Sequence, residues 1–149
     1  MKIGVSIDPT AEEIEVQITA EERNKTVNEI VDLLSDYDKK KLTTLTAYKG
    51  DRAYLIEICD IIRIYAANQK VYIQTAQEEF VVKYRLYELE NLLNKKQFLR
   101  ISNSEIVNIK KIQNIDLSLV GVICIHFSEK NRTFVSRRYI PKIKKSLGI

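Results

Sequence analysis

The segment LYELENLLNKKQFLRISNSEIVNIKKI, from Leu86 to Ile112, contains one helix pattern followed at once by two strand patterns. Leu86, Leu89 and Leu93 recur at the three- and four-residue spacing that places side chains on one face of an α-helix. The runs FLRIS and IVNI instead alternate in a way that is typical of β-strands. The polar residues between these two runs predict a turn. The segment therefore predicts a helix beside a β-hairpin.

The rest of the chain from residue 42 onward also has a strand-like pattern. Short runs rich in Val, Ile and Tyr are separated by turn-forming residues, which predicts a mainly β domain. These runs are LTTLTAY, AYLIEICDIIRIYAA, VYIQT, EFVVKY, VICIHF and TFVSR. Pro141 predicts the start of a last short helix, because its fixed φ suits a first helical turn. The expected fold class is α+β, mainly β, with antiparallel sheets and a packed helix.

The N-terminal part predicts a small strand-strand-helix module. MKIGVSI and IEVQI predict two short strands, joined by the turn-forming residues DPTAEE. The segment from Thr19 to Glu22 has the form of a capping box, and an apolar stripe follows it, so we expect a helix over residues 20–36. That stripe either covers the chain's own sheet or pairs two protomers. The charged run at 35–41 predicts a linker, which gives two domains, residues 1–41 and 42–149.

Length and composition are those of a folded protein in a reducing compartment. The chain has 149 residues, 45% of them apolar, which is enough to bury a core without disulfides. Cys59 and Cys124 lie in apolar runs, so we expect both to be buried free thiols. No run approaches the roughly 18 apolar residues of a membrane span, and the N-terminus turns polar too soon for a secretory signal. We therefore expect a cytoplasmic protein.

The sequence contains no pattern that catalysis or metal binding requires. Its one histidine, His126, alternates with apolar neighbours in a strand run, and Cys124 shares its face without a third ligand. The four glycines are too dispersed for a phosphate-binding loop. The acidic residues form no obvious inward pair. We expect no enzyme activity, no cofactor and no bound metal.

Charge is unevenly distributed along the chain. Residues 1–60 have 8 Lys/Arg against 13 Asp/Glu, whereas residues 61–149 have 16 against 7. Basic side chains at the strand ends and turns of the β region lie among Asn, Gln and Ser residues. They are Lys70, Arg100, Lys110, Lys111, Arg132, Arg137, Arg138, Lys142, Lys144 and Lys145. Because Lys and Arg neutralise phosphates, and Arg, Asn and Gln pair with base edges, this mixture favours duplex DNA.

The alternative hypothesis uses the same basic face for a different ligand. An acidic protein, or the tail of a membrane protein, would also be attracted to it. The chain would then be a non-enzymatic protein-interaction module. Both hypotheses depend on charge, so salt dependence would not distinguish them. A preference for particular DNA bases would.

Three stretches together resemble the LytTR family of DNA-binding domains. They are IIRIYAANQKVYIQT, then LYELENLLNKKQFLRISNSEIVNIKKI, and finally TFVSRRYIPKIKK. The motifs that carry the resemblance are the helix followed by F-x-R-I-x-x-S-x-I-V-N, and the later S-R-R-Y. The resemblance covers residues 42–148. It implies a bacterial or phage-type transcription regulator that binds promoter DNA through loops between β-strands, without a recognition helix.

The resemblance implies base-contacting side chains in three loops. We expect Lys70 in the first loop, Asn103 in the second and Arg138 in the third to contact bases, and the amide of Asn103 favours adenine. The phosphate contacts that we expect are Gln69, Arg100, Ser102, Ser104, Arg137, Lys142 and Lys144. Asn108 has two interpretations, a DNA contact or a turn amide that bonds its own backbone, and we favour the second.

These expectations define a sequence-specific duplex DNA-binding transcription regulator. Its inter-strand loops would enter successive major grooves of a promoter repeat, so two protomers per operator, a homodimer on DNA, are expected. The segment before the β region is too short for the receiver domain of longer family members. The resemblance to stand-alone regulators adds a regulatory membrane protein to the expected partners.

Overall fold

The structure is a computed structural model that describes residues 1–39 and 42–149. Two units can be distinguished, Met1–Leu34 and Ser35–Ile149, and the second contains every strand of the described residues. The predicted domain boundary between residues 41 and 42 adjoins residues outside the described ranges. The division into residues 1–41 and 42–149 therefore stays a prediction.

Ten strands and three α-helices make up the regular structure of the described residues. In chain order they are α1 (Lys25–Lys39), β1 (Thr44–Lys49), β2 (Arg52–Glu57), β3 (Arg63–Ala67), β4 (Lys70–Gln74), β5 (Glu79–Val82), α2 (Leu86–Leu92), β6 (Phe98–Ser102), β7 (Glu105–Asn108), β8 (Asn114–Asp116), β9 (Cys124–His126), β10 (Arg132–Phe134) and α3 (Ile140–Leu147). Single 3-10 turns at Ile58–Asp60, Ile109–Lys111 and Arg137–Tyr139 connect some of them.

The strands form two sheets in which all neighbours are antiparallel. The larger sheet has the order β2-β1-β5-β4-β3-β7-β6, and the smaller sheet has the order β10-β9-β8. Most connections are short hairpins, as the closely spaced strand runs and turn residues predict. The expected α+β, mainly β class with antiparallel sheets is confirmed.

Two apolar cores lie on opposite faces of the β6–β7 hairpin. One face contributes Phe98 and Ile106 to a core that contains α2. The three leucines that the spacing predicts on one face are all buried there, Leu86 and Leu89 in α2 and Leu93 directly after it. The other face of the hairpin packs against the smaller sheet and α3. The residues of this second core are Leu99, Ile101, Val107, Ile123, Ile125, Val135 and Ile143.

The C-terminal helix has the boundaries that its sequence predicts. α3 begins at Ile140 with Pro141 in its first turn, where a missing N–H costs no hydrogen bond. It ends at Gly148, which has a left-handed φ of 70° that glycine adopts without steric cost. Ile143 anchors the helix in the second core, and the lysines on its other side are exposed.

The two predicted N-terminal strands are not formed. Residues 1–24 contain no strand, and the alternating Ile3, Val5 and Ile7 are each more than 80% exposed. Two strands alone are marginally stable in water, because a hairpin needs a third strand or a helix to cover its apolar face. Alternation in these short runs was therefore insufficient to predict a sheet.

The first helix exists but begins later than predicted. α1 runs from Lys25 to Lys39, and the Oδ1 atom of Asn24 accepts a hydrogen bond from the backbone N–H of Val27 at 3.0 Å. Asn24 is thus the N-cap, and the capping box predicted from Thr19 to Glu22 is wrong. The predicted linker at 35–41 is helical through residue 39, and its last two residues lie outside the described ranges. The role of the apolar stripe of α1 stays a prediction.

Two details of the β region also differ from the prediction. The run AYLIEICDIIRIYAA divides into β2 and β3 at the 3-10 turn Ile58–Asp60, which leaves Cys59 exposed rather than buried. Cys124 is a buried free thiol as expected, and burial raises its pKa. Strand β8 was not predicted, because Ile115 is its single apolar residue.

None of the helices in the described residues combines the length and the apolar character that crossing a bilayer would need.

Candidate nucleic-acid interface

The first predicted loop is the tight turn between β3 and β4. Ala67 pairs with Lys70 across this hairpin, so Asn68 and Gln69 form a two-residue turn. Both have positive φ angles, 51° and 60°, as a type I′ turn requires. Asn tolerates this conformation, whereas Gln adopts it at a cost of about 1 kcal/mol. All four residues except the half-buried Ala67 are exposed, so the turn presents Gln69 and Lys70 to solvent.

The strands below this turn are held by a polar and aromatic cluster. The rings of Tyr65 and Tyr72 stack with their centroids 5.3 Å apart, and the Tyr65 hydroxyl donates to Glu79 at 2.7 Å. Burial and this hydrogen bond to a carboxylate raise the pKa of Tyr65 to about 12. The bond between Tyr65 and Glu79 joins β3 to β5 and holds the strands below the turn together.

The second predicted loop is the turn between β6 and β7. Ser102 pairs with Glu105, which leaves Asn103 and Ser104 at the tip, both exposed. The backbone N–H of Ser104 donates to the Ser102 hydroxyl oxygen at 3.2 Å, and the two hydroxyl oxygens lie 3.3 Å apart. The run of small polar residues thus makes a turn that bonds internally, as such residues commonly do.

Arg100 has a role inside the chain that its sequence position did not predict. Its Nε donates to the Ser102 carbonyl at 2.7 Å, Nη1 to Glu90 at 2.7 Å, and Nη2 to the Asn103 carbonyl at 2.5 Å. Only 13% of its side chain is exposed. The phosphate contact predicted for Arg100 gains no support from this geometry, and we assign the residue to holding the second loop in place.

The third predicted loop is the segment from Ser136 to Tyr139. The backbone N–H of Ser136 donates to the Ile101 carbonyl at 2.9 Å, which joins this segment to β6. Arg137 and Arg138 follow in a 3-10 turn, and both are exposed. Lys142 and Lys144 continue the exposed basic surface along α3.

Direct hydrogen bonds connect the three loops. The backbone N–H of Ala66, just before the first turn, donates to the carbonyl of Ser104 in the second at 2.8 Å. The hydroxyl of Tyr139, in the third loop, donates to the Asn103 Oδ1 atom at 3.1 Å. The structure thus brings together three segments that are separated by more than thirty residues in the sequence.

A further contact braces the two sheets behind these loops. Glu105 accepts hydrogen bonds from Arg63 of β3 at 3.1 Å and from the Thr133 hydroxyl of β10 at 2.7 Å. Its side chain is 12% exposed, so the carboxylate is compensated by both donors. The second loop is therefore fixed to both sheets at its base.

Asn108 has the structural role that we favoured. It is fully buried, its Nδ2 donates to the Ile61 carbonyl at 2.8 Å, and its Oδ1 accepts from the Lys110 N–H at 3.1 Å. The second bond caps the following 3-10 turn, so the prediction of a turn amide is confirmed. The sequence did not predict the first bond, because Ile61 lies 47 residues away, in the segment between the 3-10 turn Ile58–Asp60 and β3.

Two basic residues that the sequence analysis did not select lie beside the first and second loops. Lys83 and Arg85 precede α2, and together with Gln69, Lys70 and Asn103 they line one open groove. Their sequence indicates charge at the start of a helix, but only the pairing of β4 with β5 brings them to the loops. They enlarge the basic surface around the predicted base contacts.

The described residues lack the side-chain groupings of a metal centre. No three His, Cys, Asp or Glu residues among them are arranged to hold a metal ion. The Nε2 atom of His126 lies 3.5 Å from the Sγ atom of Cys124, on the shared face that alternation predicts. This pair packs in the smaller sheet, away from any third ligand in the described part of the chain.

Comparisons with known proteins identify the family. A model of the LytTr DNA-binding domain matches residues 51–148. Uncharacterized HTH-type transcriptional regulators of Staphylococcus aureus, from strains NCTC 8325 / PS 47 and bovine RF122 / ET3-1, are 35% and 36% identical over 149 residues. The match covers 100% of this chain and 99% of each relative. A solved LytTr DNA-binding domain from Bacillus cereus is 26% identical with a TM-score of 0.69, over 72% of this chain and 99% of that one. The chain therefore belongs to the LytTR family, and its DNA-binding domain spans residues 51–148.

Proposed function

We propose that this chain is a cytoplasmic transcription regulator that binds duplex DNA with sequence specificity through its three connected loops. The observation that carries the proposal is the set of hydrogen bonds that joins the three loops, in which Lys70, Asn103 and Arg138 are all exposed. Arg and Asn pair with base edges in the major groove, and Lys contacts either bases or phosphates. The loops enter successive major grooves of a promoter repeat.

The second loop is held by several hydrogen bonds within the protein, and this rigidity supports a base contact by Asn103. The backbone at Asn103 is held by Arg100, and the loop is braced at Glu105. A side chain that is fixed before binding loses less entropy when it meets its base. Gln69, Ser102, Ser104, Arg137, Lys142 and Lys144 supply phosphate contacts in this proposal, with Lys83 and Arg85 added from the groove.

The direct test of this function is the selection of bound duplexes from a random pool by the full-length protein. We expect a motif that occurs twice at a fixed spacing, because family resemblance and loop geometry favour two protomers on one operator. Sedimentation of the complex should then give two chains per selected duplex. Recovery of unrelated sequences would support the protein-interaction alternative instead, and one chain per duplex would contradict the homodimer.

Phosphate contacts should be recognisable by their salt dependence. We expect Lys142→Ala to weaken binding to selected and unrelated duplexes alike, and to reduce the slope of log Kd against log salt concentration by about one unit. The reason is that one fewer counterion is released when one phosphate contact is lost. Fluorescence anisotropy between roughly 50 and 200 mM salt measures both quantities.

Lys96→Ala is the matched control for this measurement. Lys96 is also exposed, but it lies between α2 and β6, outside the three loops. Its removal lowers the net charge equally and should leave the slope within about a third of a unit of the wild-type value. A slope change that is the same in both variants would show that net charge, and no contact at Lys142, governs the effect.

A regulatory membrane protein remains a predicted partner. In the protein-interaction hypothesis the basic face binds an acidic protein, so we expect no preference for any one DNA sequence. No contact among the described residues favours an acidic protein over DNA as the ligand.

A further inference from the structure

The hydroxyl group of Tyr139 is bonded to the functional end of Asn103. It donates to Oδ1 at 3.1 Å, while the Nδ2 group of Asn103 donates to no atom of the described residues. Tyr139 lies in the S-R-R-Y motif, directly after the two arginines, and Asn103 lies in the second loop 36 residues earlier. The bond therefore joins two segments that both carry proposed base contacts.

The position of this hydroxyl is fixed by its surroundings. The Tyr139 ring packs against the second core, and its backbone N–H donates to the Ser136 carbonyl at 2.9 Å. Ser136 is in turn bonded to β6, the strand that leads into the second loop. The Tyr139 ring and the second loop are thus packed on the same strand, β6. The Tyr139 hydroxyl is therefore held in place before DNA binds.

The backbone on the other side of the bond is fixed as well. Arg100 donates to the Asn103 carbonyl and to the Ser102 carbonyl, and Glu90 holds the same guanidinium. The fixed backbone leaves two side-chain torsions to Asn103, and the last of them decides which amide atom faces a base. A half-turn about its last torsion exchanges the acceptor Oδ1 and the donor Nδ2.

From this geometry we infer that Tyr139 is a specificity-determining residue that orients the Asn103 amide for one base pair. The inference rests on the proposed DNA-binding function and deepens it. An amide that is free to turn can offer either a donor or an acceptor, and it discriminates poorly between base edges. The Tyr139 hydroxyl occupies one lone pair of Oδ1 and directs the Nδ2 donors toward the N7 atom of adenine, while the second lone pair of Oδ1 is left for the adenine amino group. Tyr139 itself touches no base and acts through Asn103.

The test uses four full-length proteins: wild type, Tyr139→Phe, Asn103→Ala and the double variant. Their affinities are measured for the duplex that the wild-type protein selects and for each single base-pair substitution of it. We expect Asn103→Ala to remove the preference at one base pair. Tyr139→Phe should reduce the preference at that same pair about five-fold, as expected for one hydrogen bond, and leave the other pairs unchanged. The double variant should equal Asn103→Ala.

Folding is controlled by the choice of substitution. Phenylalanine keeps the ring in the second core, and the thermal midpoint of Tyr139→Phe should stay within a few degrees of the wild-type value. A general loss of structure would lower the affinity for all duplexes together. A loss of Asn103 orientation would change the ratio of two affinities, that for the selected duplex and that for the duplex substituted at one base pair. If Tyr139→Phe proves unstable, NMR of the wild-type protein reports the bond directly, as a nuclear Overhauser contact between the Tyr139 ring or hydroxyl proton and the Asn103 side chain. The absence of that contact would overturn the inference.

Several outcomes would overturn the inference. One is an unchanged preference in Tyr139→Phe, and another is an equal loss at every base pair. A further loss when Tyr139→Phe is added to Asn103→Ala would mean that the two residues act independently. These results differ from a failure of the proposed function, which would appear earlier, as the absence of any selected motif with the wild-type protein.

Discussion

Replacing Asn108 with alanine is expected to lower the free energy of unfolding by about 2–4 kcal/mol. The side chain is fully buried and joins the Ile61 carbonyl to the Lys110 N–H. Alanine would leave both backbone groups without this partner, and an unsatisfied buried group costs about 1–3 kcal/mol. Urea unfolding measures the loss as a lower midpoint at an unchanged slope.

Asn91→Ala is the matched control, because it removes the same amide from an exposed position on α2. This substitution should change the free energy of unfolding by no more than about 0.5 kcal/mol. Equal stability of Asn108→Ala and wild type would contradict the bridging role of Asn108. The same result would reopen the alternative in which this residue contacts DNA.

Arg138→Ala is expected to weaken binding to the selected duplex by about 1–3 kcal/mol, or roughly 5- to 150-fold. Arginine pairs with two acceptors on guanine in the major groove, and alanine offers neither donor. Binding to an unrelated duplex should fall much less, because a base contact contributes little where the base is wrong. Titrations of both duplexes at one fixed salt concentration measure the difference.

Arg52→Ala provides the control for this comparison. Arg52 is exposed at the start of the edge strand β2, outside the three loops, and the substitution removes the same charge. Its effect should be small and equal on both duplexes. If Arg138→Ala likewise weakens both duplexes equally, Arg138 contacts phosphate and not a base.

The strands of the β6–β7 hairpin were predictable because their own residues alternate in the pattern of a strand. FLRIS and IVNI alternate on two faces, and each face meets a core, so local pattern and packing agree. The same reasoning failed at MKIGVSI, where alternation exists but no described neighbour covers the apolar residues as a sheet would. Strand β8 was missed because its three residues have no alternating apolar pattern. It is a strand because it pairs with β9.

The candidate site was predictable as a set of loops but not as a network. Motif positions indicated the three segments, and small polar residues indicated a turn at Ser102 to Ser104. No local pattern indicates that Arg100 binds carbonyls of its own turn, or that Tyr139 reaches Asn103. Such bonds depend on the docking of the C-terminal segment onto β6, which is a property of the whole fold.

The arrangement of the helices indicates which elements are available to contact DNA. The staphylococcal relatives are named HTH-type regulators, yet in the residues described for this chain strands separate α1, α2 and α3 from one another. α2 has seven residues, and its leucine face is buried in the first core. The proposed base contacts therefore lie in loops, and the exposed lysines of α3 add phosphate contacts without a helix-turn-helix pair.

The most direct test of the account is an NMR footprint of the full-length protein on the selected duplex. We predict that backbone amide shifts concentrate at residues 68–70, 102–104 and 136–138, with smaller changes along α3. The hairpin β1–β2 and the segment between β8 and β9 should remain unaffected. Shifts that avoid the second loop, or that centre on a single helix, would contradict the claim that three hydrogen-bonded loops form the DNA-binding surface.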